Sequence, residues 1–309
     1  MKYLNMKKKR SLAGWLFIMP WLIGLIIFFI QPAFNFLIYS FGNFKILSSG
    51  GYELKPLEGS IFTHYINAWT TDATYPLAFT DAFRHFSYEV PIIVFFSLFV
   101  AIILNQNFRG RTIMRAIFFL PIIITSGVLG LVIGRDISAV EMGTMSGSGS
   151  IYDVTMLTDF LVQAGLPDKI IDTLTGIVGN VADLVWKSGV QILIFLIGLL
   201  SIPSSYYEAA TVEGATGWET FWKITFPIVS PFILANIIFT LISSCMEVGN
   251  GVIIYVLSTA TESFNYSYAS AMMWMYFLVI LVIVAAVFLI CSRFVFYGNQ
   301  IERRKKRGQ

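Results

Sequence analysis

Four polar residues, Asn180, Asp183, Lys187 and Gln191, follow one another at spacings of three, four and four inside a largely apolar stretch. Those spacings put them on one face of a helix, with Trp186 and Ser188 beside them. An aromatic ring next to hydroxyl and amide groups suits a sugar, whose ring stacks while its hydroxyls take hydrogen bonds. A second polar patch, Ser243, Ser244, Glu247 and Asn250, and the single Ser126 after the Leu120-Pro121 pair lie in other apolar runs. Ionisable groups in a bilayer cost roughly 2.5–3.5 kcal/mol each near a helix centre, so they face a cavity or a partner. A simpler reading pairs Asp183 with Lys187 (i, i+4) at the outer headgroup level and leaves the serines bonded to backbone. On the first reading, Lys187 and Glu247 in the cavity would hint at a charged substrate such as an acidic oligosaccharide.

The composition places these residues in a membrane. Of 309 residues, 56% are hydrophobic and 13% charged, the mean hydropathy is +0.74, and there are 28 Phe, 14 Tyr and 7 Trp. That is too apolar for a water-soluble domain. Cys245 and Cys291 sit in apolar runs, and His64 and His85 are the only histidines, so a disulfide framework and a Cys/His metal cluster are excluded.

A helix crosses the ~30 Å hydrocarbon core in about 20 residues. Six such runs are expected: Leu12–Tyr39, Phe83–Gln106, Thr112–Gly134, Gly176–Leu200, Pro227–Asn250 and Ala269–Tyr297. A secretory signal peptide is the alternative for the first, but it lacks an A-x-A-like cleavage site. With both termini inside, the internal segments hold 15 of the 21 Lys and Arg and four of the 18 acidic residues, the bias expected of cytoplasmic loops. The expected organisation is a cytoplasmic start (1–11), a six-span domain (12–297) with external segments 41–81 and 135–175, and a basic tail (298–309). The external segments carry short amphipathic stretches at His64–Trp69 and Val154–Leu166. The tail suits anionic lipid.

The internal segment 201–227 stands between the fourth and fifth runs. Pro203 with Ser204 and Ser205 reads as a helix start, the serine hydroxyls capping free amides. Tyr206–Glu213 makes two turns, Gly214 and Gly217 permit a bend, and Trp218–Phe226 forms a second helix that Pro227 ends. Residues alone leave open whether this knob lies on lipid headgroups or meets a partner. Glu208-Ala209-Ala210, three residues, Gly214-Ala215, then Phe221, Ile224 and Pro227 closely resemble the EAA loop of binding-protein-dependent ABC importer permeases. Glu213 stands where that family often has Asp, and Phe226 where it often has Leu. The run Asn105–Pro121 and the segment Ser11–Phe44 resemble landmarks of the carbohydrate-uptake (maltose/oligosaccharide, MalF-like) branch, so the likeness covers nearly the whole chain.

The resemblance implies an all-α membrane protein with the MetI-like ABC permease fold, six spans, both termini in, in the bacterial cytoplasmic (inner) membrane. Its EAA residues Glu208, Ala209, Ala210, Glu213, Gly214, Ala215, Phe221, Ile224 and Pro227 would fit a cleft of a cytoplasmic ATPase. The implied partners are a second permease, two ATPase subunits, an external solute-binding protein and an oligosaccharide. The chain would be no enzyme and bind no cofactor; ATP and Mg belong to the partner, consistent with the lack of a G-x-x-x-x-G-K-[ST] loop here. In that family sugar contacts lie after the Leu-Pro pair and on either side of the EAA loop, which points to Ser126, Asp183, Trp186, Lys187, Ser188, Gln191, Ser243, Ser244, Glu247 and Asn250 by region rather than identity. A secondary transporter would need an ion-coupling site or inverted repeats, and neither is evident. An ABC permease for a non-carbohydrate solute is the other alternative.

Overall fold

The computed structural model describes residues 6–46, 52–57, 60–125, 155–165, 167–247, 249–293 and 295. The expected basic tail and Ser126 lie outside the described residues. The chain divides into two units, residues 1–80 with 251–279, and residues 81–250 with 280–309.

In the first unit, α1 (Met6–Leu25) continues through a π-helical turn (Ile26–Ile30) into α2 (Gln31–Ser40). Residues 14–40 are apolar on every side, as a helix surrounded by lipid or protein must be. A hairpin follows, β1 (Gly42–Ile46) paired antiparallel with β2 (Tyr52–Pro56), Gly42 opposite Pro56 and Phe44 opposite Leu54. The alternation is too short and too rich in Gly and Lys to stand out in the sequence. Helix α3 (Thr63–Thr70) realises the expected amphipathic stretch. His64 is buried there, its Nε2 donating to the Gly42 carbonyl at 3.3 Å.

Asp72 ties this unit together. Its carboxylate accepts the amides of Thr74 (2.8 Å) and Tyr75 (3.0 Å) and the hydroxyls of Tyr255 and Tyr268 (both 2.8 Å). Burial opposes the charge, but the amide of Tyr75 and the other three donors outweigh it and hold the carboxyl below its ordinary range. The hydroxyl of the fully buried Tyr75 donates to the carbonyl of Met272 at 2.9 Å.

The second unit begins inside α4 (Thr74–Asn105), which starts nine residues before the expected Phe83. Its C-terminal end is satisfied by Arg115 of α5 (Arg111–Thr125), whose guanidinium donates to the Leu104 carbonyl at 2.8 Å; a cation at a helix C-terminus also complements the helix dipole. After α6 (Thr155–Gln163), the expected fourth span is two helices. α7 (Asp168–Lys187) and α8 (Gly189–Leu200) meet at Ser188 with a 52° bend. α8 packs against α5 and against α11 (Phe226–Cys245). Ile192, Phe195, Leu196 and Leu199 form its buried face, and Gly198 lets the ring of Phe232 come close enough that a Cβ would meet it at 2.7 Å. Small residues permit such approach between membrane helices.

Two expectations about the 201–227 segment are corrected. α9 (Ser204–Val212) has no side-chain cap: Pro203, extended at φ −61° and ψ 139°, occupies the cap position and the serine hydroxyls do not serve. Nor does Pro227 end the second helix. α10 (Gly217–Thr220) runs through a π-helical turn (Phe221–Thr225) into α11, giving one continuous helix from Gly217 to Cys245. The π turn is the physical reason. Proline has no N–H and its ring crowds the carbonyl four residues back; here Phe226 donates to Phe221, five back, and the wider turn admits Pro227. The first helix repeats the device, with Gln31 donating to Ile26 immediately before Pro32.

Between α11 and α13 (Tyr266–Ser292) lies an unexpected short apolar helix, α12 (Gly251–Thr261). Among the described residues, four helices are long and apolar enough to cross a membrane, and the bent α7–α8 pair makes a fifth. The expected third span is described only to Thr125.

Candidate functional site

The 201–227 segment is a tightly specified knob. α9 closes with a Schellman motif: Gly214 N–H donates to Thr211 at 3.1 Å and Ala215 N–H to Ala210 at 2.9 Å. This requires the left-handed backbone that Gly214 adopts at φ +73°. Two residues later Thr216 opens α10 with a capping box. Glu219 N–H donates to the Thr216 hydroxyl (3.3 Å), and Thr216 N–H to the Glu219 carboxylate (3.0 Å). The hydroxyls of the buried Thr225 and the half-buried Tyr207, 3.2 Å apart, fasten α9 to the π turn.

Glu208, Ala209, Glu213 and Gly214 are exposed, Ala210 is buried, and Ala215, Phe221, Ile224 and Pro227 are half-buried. Ser205, Ala209, Glu213, Glu219 and Lys223 border a groove of about 660 Å³ between the two helices. Glu208 does not line it. The knob therefore offers a carboxylate on one face and a groove with small, closely approachable residues on the next.

The second constellation centres on Lys187, at the end of α7. Its ammonium lies 2.8 Å from Glu89 of α4, 3.1 Å from Asp183 one turn back, and 2.8 Å from Glu247 beyond α11. The ammonium donates to Glu89 and Glu247 and pairs with Asp183, one cation among three carboxylates. The hydroxyl of Ser244 donates to Glu89, and His85 Nδ1 lies 3.3 Å from it. The side chain of Glu89 is 10% exposed and that of Lys187 22%. The expected Asp183–Lys187 pair is present as part of this larger cluster. Lys187 and Glu247, expected near one another in the polar region, are paired within this cluster.

The remaining candidates separate. Gln191, buried, donates to the Thr240 hydroxyl at 3.2 Å, and the buried Asn236 donates to the Gln191 carbonyl at 3.3 Å. Asn250 donates to the Cys245 carbonyl. Ser188 is buried and bonded to Val185 at the bend. Ser243 is exposed, on a different face from Ser244, and Trp186 is half-buried. Glu89, Thr240 and Asn236 were not expected from sequence. Glu89 is the last ionisable residue of α4, at the edge of its apolar run, a signal that could have marked it.

Residues 79–296 match the family model described as binding-protein-dependent transport system inner membrane component. The chain belongs to this permease family. The Probable ABC transporter permease protein YesP of Bacillus subtilis (strain 168) is 31% identical over 321 residues, covering 96% of this chain and 97% of that protein. The Multiple sugar-binding transport system permease protein MsmF of Streptococcus mutans is 26% identical over 229 residues, 71% and 70% of the two chains. A crystal structure of a bacterial ABC transporter involved in the import of the acidic polysaccharide alginate contains a chain of the same fold. Its TM-score is 0.63 at 18% identity, with 92% of this permease and 96% of that chain covered. The permease is thus an inner-membrane component of a binding-protein-dependent ABC transporter. As a translocation subunit it is a transport component rather than a catalyst.

Proposed function

We propose that this permease forms half of the translocation pathway of an ATP-driven importer of oligosaccharides, with six spans, both termini cytoplasmic, the domain limits 12–297 and a coupling loop at 201–227. The observation that carries it is the exposed, doubly capped knob with Glu208, Ala209, Glu213 and Gly214 at its surface. A second permease, two ATPase subunits holding ATP and Mg, and an external binding protein complete the assembly. Support for a sugar comes from relatives described as the Multiple sugar-binding transport system permease MsmF, the Lactose transport system permease LacF and the Arabinooligosaccharides transport system permease AraP. An acidic oligosaccharide stays within this proposal, since the transporter of the structural neighbour is described as importing the acidic polysaccharide alginate.

The test is uptake in vesicles containing the co-expressed complex. Glu208→Lys removes a charge-assisted contact worth about 1.5–3 kcal/mol, so ATP-dependent uptake should fall about 10–100-fold. Gly214→Pro cannot adopt φ +73° and should do the same. Both variants should still reach the membrane. Undiminished uptake by either would refute the coupling role.

A further inference from the structure

The second helix of the knob carries a face that the coupling reading does not use. Trp218, Trp222 and Phe226 are stacked along it at i, i+4 and i+8. The first two ring centroids are 5.6 Å apart and the next two 5.0 Å. Trp218 is 71% exposed and Trp222 46%. Neither ring borders the groove between the helices.

Length fixes where this ladder stands. The continuous helix from Gly217 to Cys245 has 29 residues, so it is about 44 Å long at ~1.5 Å per residue. Its part after Phe226 covers about 29 Å, the thickness of the ~30 Å hydrocarbon core. The preceding turns then leave the core, with Trp222 ~7 Å outside its edge, within a headgroup layer ~5–8 Å deep, and Trp218 ~13 Å outside, on the water side of that layer. Indole rings favour that layer because the apolar body and the N–H donor are satisfied at different depths. Glu219 and Lys223, paired at 3.4 Å and exposed, accompany the ladder as water-facing neighbours.

We infer that Trp222 and Phe226 form a phospholipid-binding face that seats the second knob helix in the headgroup layer, with Trp218 on its water side. This rests on reading Gly217–Cys245 as a span, and goes beyond it by giving the knob two faces. α9 is free to meet the ATPase, while α10 and the π turn are held by the bilayer. Gly214, between them, is then the joint about which α9 is set.

The test uses the assembled complex in nanodiscs, comparing tryptophan quenching by phospholipids brominated near the headgroup with quenching by aqueous acrylamide. The Trp218→Phe/Trp222→Phe double variant keeps two aromatic rings while removing the indole emission, and Trp218→Phe alone removes the more exposed ring. The emission lost in the double variant beyond that lost in Trp218→Phe, which is the share of Trp222, is expected to be quenched by brominated lipid. If that part is quenched by acrylamide alone, the ladder faces water and the inference is wrong. If it is shielded from both, a protein subunit covers it and the inference is equally overturned. Quenching is read independently of uptake, so loss of transport in Glu208→Lys with lipid quenching intact, or the reverse, separates the two readings.

Discussion

Replacing Lys187 by methionine removes the ammonium that three carboxylates share and probes the ionic cluster directly. At 2.8 Å and an effective dielectric of ~20, each close contact represents about 6 kcal/mol of Coulomb attraction, most of it offset by the cost of removing the groups from water. Breaking a buried pair leaves an uncompensated charge at a cost of about 3–5 kcal/mol. Because Lys187 retains 22% exposure, the lower end, about 3 kcal/mol, is expected. Glu89, at 10% exposure, dominates that figure. Asp183 is 50% exposed, so Asp183→Asn should cost no more than about 1 kcal/mol. Glu247, at 37%, should fall between. Adding Glu89→Gln to Lys187→Met removes the most buried orphaned charge and should restore more than half of the loss. Chemical unfolding in detergent micelles, followed by tryptophan emission, gives the midpoints. A Lys187→Met variant within about 0.5 kcal/mol of wild type, or a double variant weaker than the single, would refute the account of a cation-dependent cluster.

Acid should weaken the first unit in two steps. Burial holds His64 below its ordinary 6.5 despite its bond to the Gly42 carbonyl, so the unfolded chain takes up the proton first and stability declines as pH falls below 6.5. Asp72 is likewise held below its ordinary 3.8, and its contribution, complete above that value, is lost as pH falls through the lower folded value. Thermal midpoints against pH should lose the upper step in His64→Gln and the lower in Asp72→Asn; unchanged profiles would show that neither group is linked to folding. Gly198→Ala places a Cβ against Phe232 and should cost about 1–3 kcal/mol through overpacking of α8 on α11. Its unfolding midpoint should therefore drop, while Gly179→Ala, with open space around it, should hold or rise.

Composition carried much of the helical architecture because a bilayer admits few solutions. Backbone groups without water must close into helices, so apolar runs near 20 residues were legible by inspection. The Glu208–Gly214 segment was legible for a different reason: its signals are local. A left-handed glycine closing one helix and a Thr-x-x-Glu box opening the next act within a few residues of each other.

What distance in the chain conceals, only the tertiary structure decided. Glu89 lies 98 residues from Lys187, and no periodicity within α7 names its partner. Sequence could place Lys187 on a polar face, but how that ammonium was paired depended on which carboxylates packing brought to it. The bend at Ser188 and the passage of a helix through Pro227 also depend on packing and on turn geometry, since a proline that would stop an α-helix is accommodated by one wider π turn. Local hydrogen bonds and solvent preference act on neighbouring residues and are written in the sequence; pairing of charges across helices is a property of their assembly.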